Sequence, residues 1–178
     1  MQRYVLTGAL VAVMTAGAEA QKTTAVHPGK GGSPHVRTDW TVDGAAVSIE
    51  YGRPFLKGRT IGSVAPNGKV WRAGADEATT LKTDKPLKFG TLSVPAGTYT
   101  LFAVPGEQEW QLVISKQTGQ WGTMYSQDQD LGRVPMKVGK SASAAEQVTW
   151  AIDDTATGAT LRLEWGATSV AAPFSVGS

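Results

Sequence analysis

Apolar and polar residues alternate with a period of two through most of this chain. In "AAVSIEY", Val47, Ile49 and Tyr51 share one face while Ser48 and Glu50 share the other, the pattern of a strand with one buried side and one wet side. Val148, Trp150 and Ile152 repeat it, as do Leu161, Leu163 and Trp165. Between "RTDWTV" and "AAVSIEY" stands Asp43-Gly44, a strong hairpin signal, because both central residues of a type I′ turn take positive φ. Further short strands are predicted at "ATTLKT", "PLKF", "TLSV", "TYTLFAV", "EWQLVIS", "GRVPMKV", "EQVTWAID" and "ATLRLEW". Turn chemistry separates them at 95–97, 105–108 and 153–158. No spacing of three and four persists long enough for a long helix, and "SASAAEQ" at 141–147 offers a turn or two at most. The prediction is all-β, a single-domain antiparallel β-sandwich or partly open barrel of about eight to ten short strands, spanning residues 35–178.

The start of the chain breaks this pattern. Arg3 is followed by an apolar run from Tyr4 to Ala16 and by small residues ending Ala18-Glu19-Ala20. That is the layout of a secretory signal peptide, 1–20, cleaved between Ala20 and Gln21. The expected location is the periplasm or the medium of a bacterium, with no membrane span after cleavage. Residues 21–34, "QKTTAVHPGKGGSP", have no period and read as a flexible tether; "GKGGS" lacks the Walker spacing of a phosphate loop.

Composition removes several classes of chemistry. The chain contains no cysteine, so a thiol nucleophile and a disulfide framework are excluded. Stability must come from a core, and the roughly 158 residues left after cleavage are enough to build one. The net charge of +2 predicts no nucleic-acid partner. The only histidines are His27, in the tether, and His35, at the domain edge, so no metal site and no cofactor are expected. No Gly-x-Ser-x-Gly elbow or Ser-x-x-Lys motif occurs. Asp128 and Asp130 have the alternate spacing of a calcium loop without its glycine or distal glutamate, and read as a solvated loop.

The densest chemistry lies in "KVWRAGADEATTL", residues 69–81. In a regular strand Glu77, Thr79 and Leu81 share a face, which draws Glu77 toward the core. A carboxylate there needs a partner, and Arg72, across a turn at Gly74, can hold it with a bidentate fork. Trp71 then points the other way, toward the core. The first reading is a buried Arg72–Glu77 strut; the second is a ligand site. Arg53, Arg59 and Arg72 either converge with Glu77, or Arg59 and Lys57 are solvated loop charges.

These residues carry a resemblance. "YGRPFLKGRTI", "GKVWRAGADEATTL", "VPAGTYTLFAVPGEQEWQLVIS" with the following "QWG", and "LRLEWGATSVAAPFSV" resemble, in order, the bacterial exported proteins of the domain of unknown function 2911 family. Arg53, Pro54, Gly58, Arg59, Trp71, Arg72, Gly74, Glu77, Ala78, Thr79, Trp110, Trp121 and Gly122 fall on its motif positions, while "TIGSVAPNG" departs from its usual bulky loop. The resemblance implies no established activity.

Three functions compete. The leading one is a non-catalytic exported protein binding a small polar ligand or a cell-envelope component, with Arg53, Arg59 and Arg72 recognising an anion, Trp71 or Trp121 offering a stacking surface, and Glu77 and Thr79 completing the set. The second is a hydrolase or lyase using Glu77 as general acid or base, tuned by Arg72. The third is a structural module of the envelope. No catalytic residue is assigned.

Overall fold

The computed structural model describes residues 21–177, so the expected signal peptide lies outside the described residues. Ten strands make one antiparallel sheet: β1 (Lys22–His27), β2 (His35–Val42), β3 (Ala45–Gly52), β4 (Thr80–Thr83), β5 (Leu87–Phe89), β6 (Leu92–Val94), β7 (Gly97–Val104), β8 (Glu109–Ser115), β9 (Asp130–Thr155) and β10 (Gly158–Val176). Their order across the sheet is β1-β2-β3-β4-β7-β8-β9-β10-β5-β6, with β1 and β6 as free edges, so the sheet is not closed. A single helical turn, α1 (Ile61–Val64), and a 3-10 turn at Gln127–Gln129 are the helical pieces among the described residues.

The hairpin predicted at Asp43-Gly44 forms with both residues at positive φ, 47° and 72°, and pairs Val42 with Ala45. The two long strands were less legible. "GRVPMKV", "SASAAEQ" and "EQVTWAID" lie in one strand, β9, whose first part pairs with β8 and whose remainder pairs with β10. The 141–147 stretch is therefore strand and not a helical turn. Its exposed small residues are held by the neighbouring ladder. The β9/β10 ladder changes register on either side of Gly166, which has φ 56°, a conformation that costs glycine little.

The alternating faces predicted in β3, β9 and β10 meet in one core that includes Ile49, Leu101, Leu112, Trp150 and Leu161. The sheet folds over far enough for β9 to reach β3: the Trp150 backbone N–H donates to the Tyr51 hydroxyl at 3.1 Å. Burial raises the Tyr51 phenol above its ordinary 10.0.

The segment 21–34 is not a tether throughout. Lys22–His27 is a strand paired with β2 from Lys22↔Asp39 to His27↔His35. Its side chains are mostly exposed, so an edge strand held by backbone bonds and β-branched Thr23, Thr24 and Val26 left no alternating pattern in the sequence. Three irregular segments then gather beside this end of the sheet: the β1–β2 loop, residues 53–79 and residues 116–129.

Candidate functional site

Residues 71–79 enter from a short bridge to β7. Trp71 exchanges backbone hydrogen bonds with Ala103, at 2.8 and 2.9 Å. Its indole is buried, stacked on Trp165 with centroids 5.5 Å apart and set edge-on to Trp110 at 6.3 Å. Trp71 thus faces the core as expected, with one ring face covered by Trp165.

Beyond Trp71 the chain turns sharply. Ala73 and Asp76 sit at φ 51° and 60°, a region uncommon for residues with a side chain. Two buried donors hold the turn. Thr79 Oγ1 donates to the carbonyls of Arg72 and Ala73 at 3.1 and 3.3 Å, and Trp150 Nε1 donates to Ala73 O at 3.1 Å. Thr79 is fully buried, so its part is structural. Gly74 is required here, since a Cβ would stand 2.6 Å from Thr79 Oγ1.

The expected Arg72–Glu77 strut is absent. Arg72 Nη1 donates to the backbone carbonyl of Asp76 at 3.3 Å, an oxygen that also accepts from the Gly122 N–H at 2.8 Å. Glu77 forms an isolated bridge with Trp121 and keeps its side chain 46 % exposed. The strut is lost because the left-handed residues Ala73 and Asp76 re-aim the chain between the arginine and the glutamate, and the period-two pattern does not carry Glu77 inward because the regular strand begins only at Thr80.

Arg72 instead lines a cleft of ≈ 280 Å³ with Arg59, Trp71, Phe102, Gly122 and Tyr125 among its walls. Arg59 is anchored by its own turn: Nε and Nη2 donate to Leu56 O and Phe55 O at 3.1 and 2.6 Å. Among the described residues neither arginine is ion-paired. Tyr125 donates to Asp130 Oδ2 at 2.7 Å and accepts from Arg133 Nη2 at 2.9 Å. Burial, and then the bond to Asp130, raise its phenol above 10.0. Asp130 is thereby committed to Tyr125 and Arg133, while Asp128 accepts from Ser126 Oγ at 3.1 Å.

Of the three arginines expected to converge, two share the cleft. Arg53 reaches the other way and donates to Val148 O and Thr149 Oγ1 at 3.1 and 3.0 Å, tying the segment after β3 to β9. Trp121 is half-buried, with Lys30 Nζ 5.4 Å from its ring centroid, and lies outside the cleft lining. A wider groove of ≈ 440 Å³ runs over β1 to β4. Its Arg37 and Asp39 pair at 2.8 Å and Asp84 accepts from the Ala46 N–H, while Lys22 and Lys82 also line it.

On the other side of Asp76 the structure assembles a group that residue counting passed over. His27 and His35 are a cross-strand pair with rings stacked at 4.1 Å and 18°. His35 Nε2 lies 3.3 Å from Glu77 Oε2 and 3.4 Å from Asp76 Oδ2, and His27 Nε2 lies 3.8 Å from Glu77 Oε2. Asp76 Oδ2 also accepts from the Lys30 N–H at 3.2 Å. Two histidines bracketing the Gly/Pro run "PGKGGSP" were the available signal, since a turn there brings both ends together.

A family model described as "Protein of unknown function (DUF2911)" matches residues 33–174. No curated protein matches the chain, and no solved structure does.

Proposed function

The chain belongs to the DUF2911 family, and we propose that it is an exported, non-catalytic protein that binds a small anionic ligand in the cleft between Arg59 and Arg72. One observation carries this reading: two guanidinium groups without a carboxylate partner line one cavity. Such charges usually find a counter-ion, and a planar fork matches a carboxylate or phosphate. Both side chains are partly held in place by bonds to neutral carbonyls, which orient them without neutralising them. The aromatic wall of Phe102 and Tyr125 suits the body of a small organic acid or sugar phosphate. The lining holds no carboxylate or histidine, which favours binding over acid–base catalysis. Export rests on the apolar run and the Ala18-Glu19-Ala20 ending.

Isothermal titration with succinate, inorganic phosphate and galacturonate, at matched ionic strength, tests the reading, with neutral galactose as control. At least one anion is expected to saturate a single site, and Arg72→Ala or Arg59→Ala to weaken it by more than about tenfold, or ~1.4 kcal/mol. Failure of all three anions to bind, or equal binding by both variants, contradicts it.

A further inference from the structure

We infer that His27, His35 and Glu77 form a binding site for a divalent first-row transition ion of the zinc type. His35 carries the inference. Its side chain is 3 % exposed, and Nε2 is buried without a hydrogen-bond partner, as is Glu77 Oε2. Yet that nitrogen faces two carboxylate oxygens, at 3.3 and 3.4 Å, without hydrogen-bond geometry to either. A buried imidazole nitrogen set against carboxylates, with no proton shared between them, is poorly satisfied. A cation between them satisfies all three.

The spacing comes close to that of one ion and is reached when the part-exposed His27 ring turns out of its stack on His35, since an ion lies in the plane of each imidazole that binds it and stacked rings hold their lone pairs nearly parallel. His27, His35 and Glu77 each offer one ligand atom, and these atoms lie within 4.8 Å of one another. Around a tetrahedral ion with bonds of about 2.0–2.1 Å, neighbouring donors stand roughly 3.3 Å apart. The 3.3 Å and 3.8 Å separations to Glu77 Oε2 are close to that value. Asp76 places a second negative charge beside the group. Two imidazoles with a carboxylate are borderline donors that suit zinc, cobalt or nickel, whereas calcium and magnesium prefer an all-oxygen shell. His27 and Glu77 are 39 % and 46 % exposed, so an ion can enter and would keep a face open to water.

The ring stack and one hydrogen bond must be given up. His27 Nδ1 accepts from the Gly29 N–H at 3.1 Å, which puts the ring proton of a neutral His27 on Nε2. Ligation of a neutral imidazole through Nε2 requires the ring proton to sit on Nδ1 instead, releasing the Gly29 N–H. Loading is therefore expected to shift the Gly29 amide resonance, a signature that adventitious surface binding lacks.

This reading replaces the expectation of no metal site, which rested on where two histidines fall in the sequence. It does not depend on the arginine cleft, whose lining excludes all three ligands. The test is titration of the chelator-treated full chain with ZnCl2 and with CoCl2. We expect one equivalent of zinc, a cobalt complex with visible absorption bands, and no competition from calcium. His27→Ala and Glu77→Gln alter partly exposed side chains and should fold, and each should weaken zinc by at least about tenfold. Zinc in about 100-fold excess over its Kd should raise the melting temperature of the wild type and raise that of Glu77→Gln by roughly half as much or less at the same concentration. Absence of stoichiometric zinc binding, or binding unaltered in both variants with the Gly29 amide unmoved, overturns the inference.

Discussion

Trp150→Ala should lower stability by about 3–5 kcal/mol, the usual cost of emptying a buried tryptophan position. Domains of this kind are commonly stable by only about 5–15 kcal/mol, so the urea midpoint should fall far enough for a fraction of the chain to be unfolded in dilute buffer. The size follows from two roles in one side chain. The ring is fully buried at the centre of the core, and its Nε1–H holds the Ala73 carbonyl in the left-handed turn after Trp71. Trp150→Phe separates the roles: it keeps most of the packing and removes the donor, for an expected loss of about 1–3 kcal/mol. Equal midpoints for Trp150→Phe and wild type would show that the turn does not need the indole.

Gly52→Ala should also destabilise the protein, and should damage the histidine group as well. Gly52 pairs with His35 across the β2–β3 ladder. A methyl at Gly52 would overlap the Ala75 carbonyl and stand 2.7 Å from His35 Nε2. Backbone on one side and a buried ring on the other leave little room to relax. Overpacking of this kind typically costs about 1–3 kcal/mol and sometimes more, and any relief must move His35 or the residues leading to Asp76. The expected result is a lowered urea midpoint together with weakened zinc binding. A variant with wild-type stability and unchanged zinc affinity would mean that the close approach at Gly52 is not needed.

The sequence showed what repeats and hid what happens once. Alternation in β3, β9 and β10 predicted the core faces, and Asp43-Gly44 predicted its hairpin, because these are local patterns with a fixed period. The edge strand β1 carries no buried face, so nothing in Lys22–His27 marks it apart from its β-branched residues; its partner supplies the structure. Within 71–79, the sequence drew attention to the right residues and mispaired them. Extrapolating backward from Leu81 assumes a strand that reaches Glu77, but the strand begins at Thr80, and pairing Glu77 with Arg72 assumes a plain turn between them, but Ala73 and Asp76 are left-handed. Asp enters that region more readily than most residues but Ala rarely does, so the turn at Ala73 is a product of tertiary bonds from Thr79 and Trp150. His27 and His35 were set aside for the same reason: their proximity depends on a β1–β2 pairing that the sequence did not reveal.

Thr79 and Trp150 build the 71–79 turn, which leaves Arg72 and Glu77 directed to separate surfaces. A double-mutant cycle on Arg72→Lys and Glu77→Gln, read by urea denaturation in metal-free, ligand-free buffer, tests this most directly. Midpoints near wild type are expected for both single variants, with a coupling energy below about 0.5 kcal/mol. A coupling of about 1.5 kcal/mol or more, with each single variant strongly destabilised as when a buried pair is broken, would contradict it.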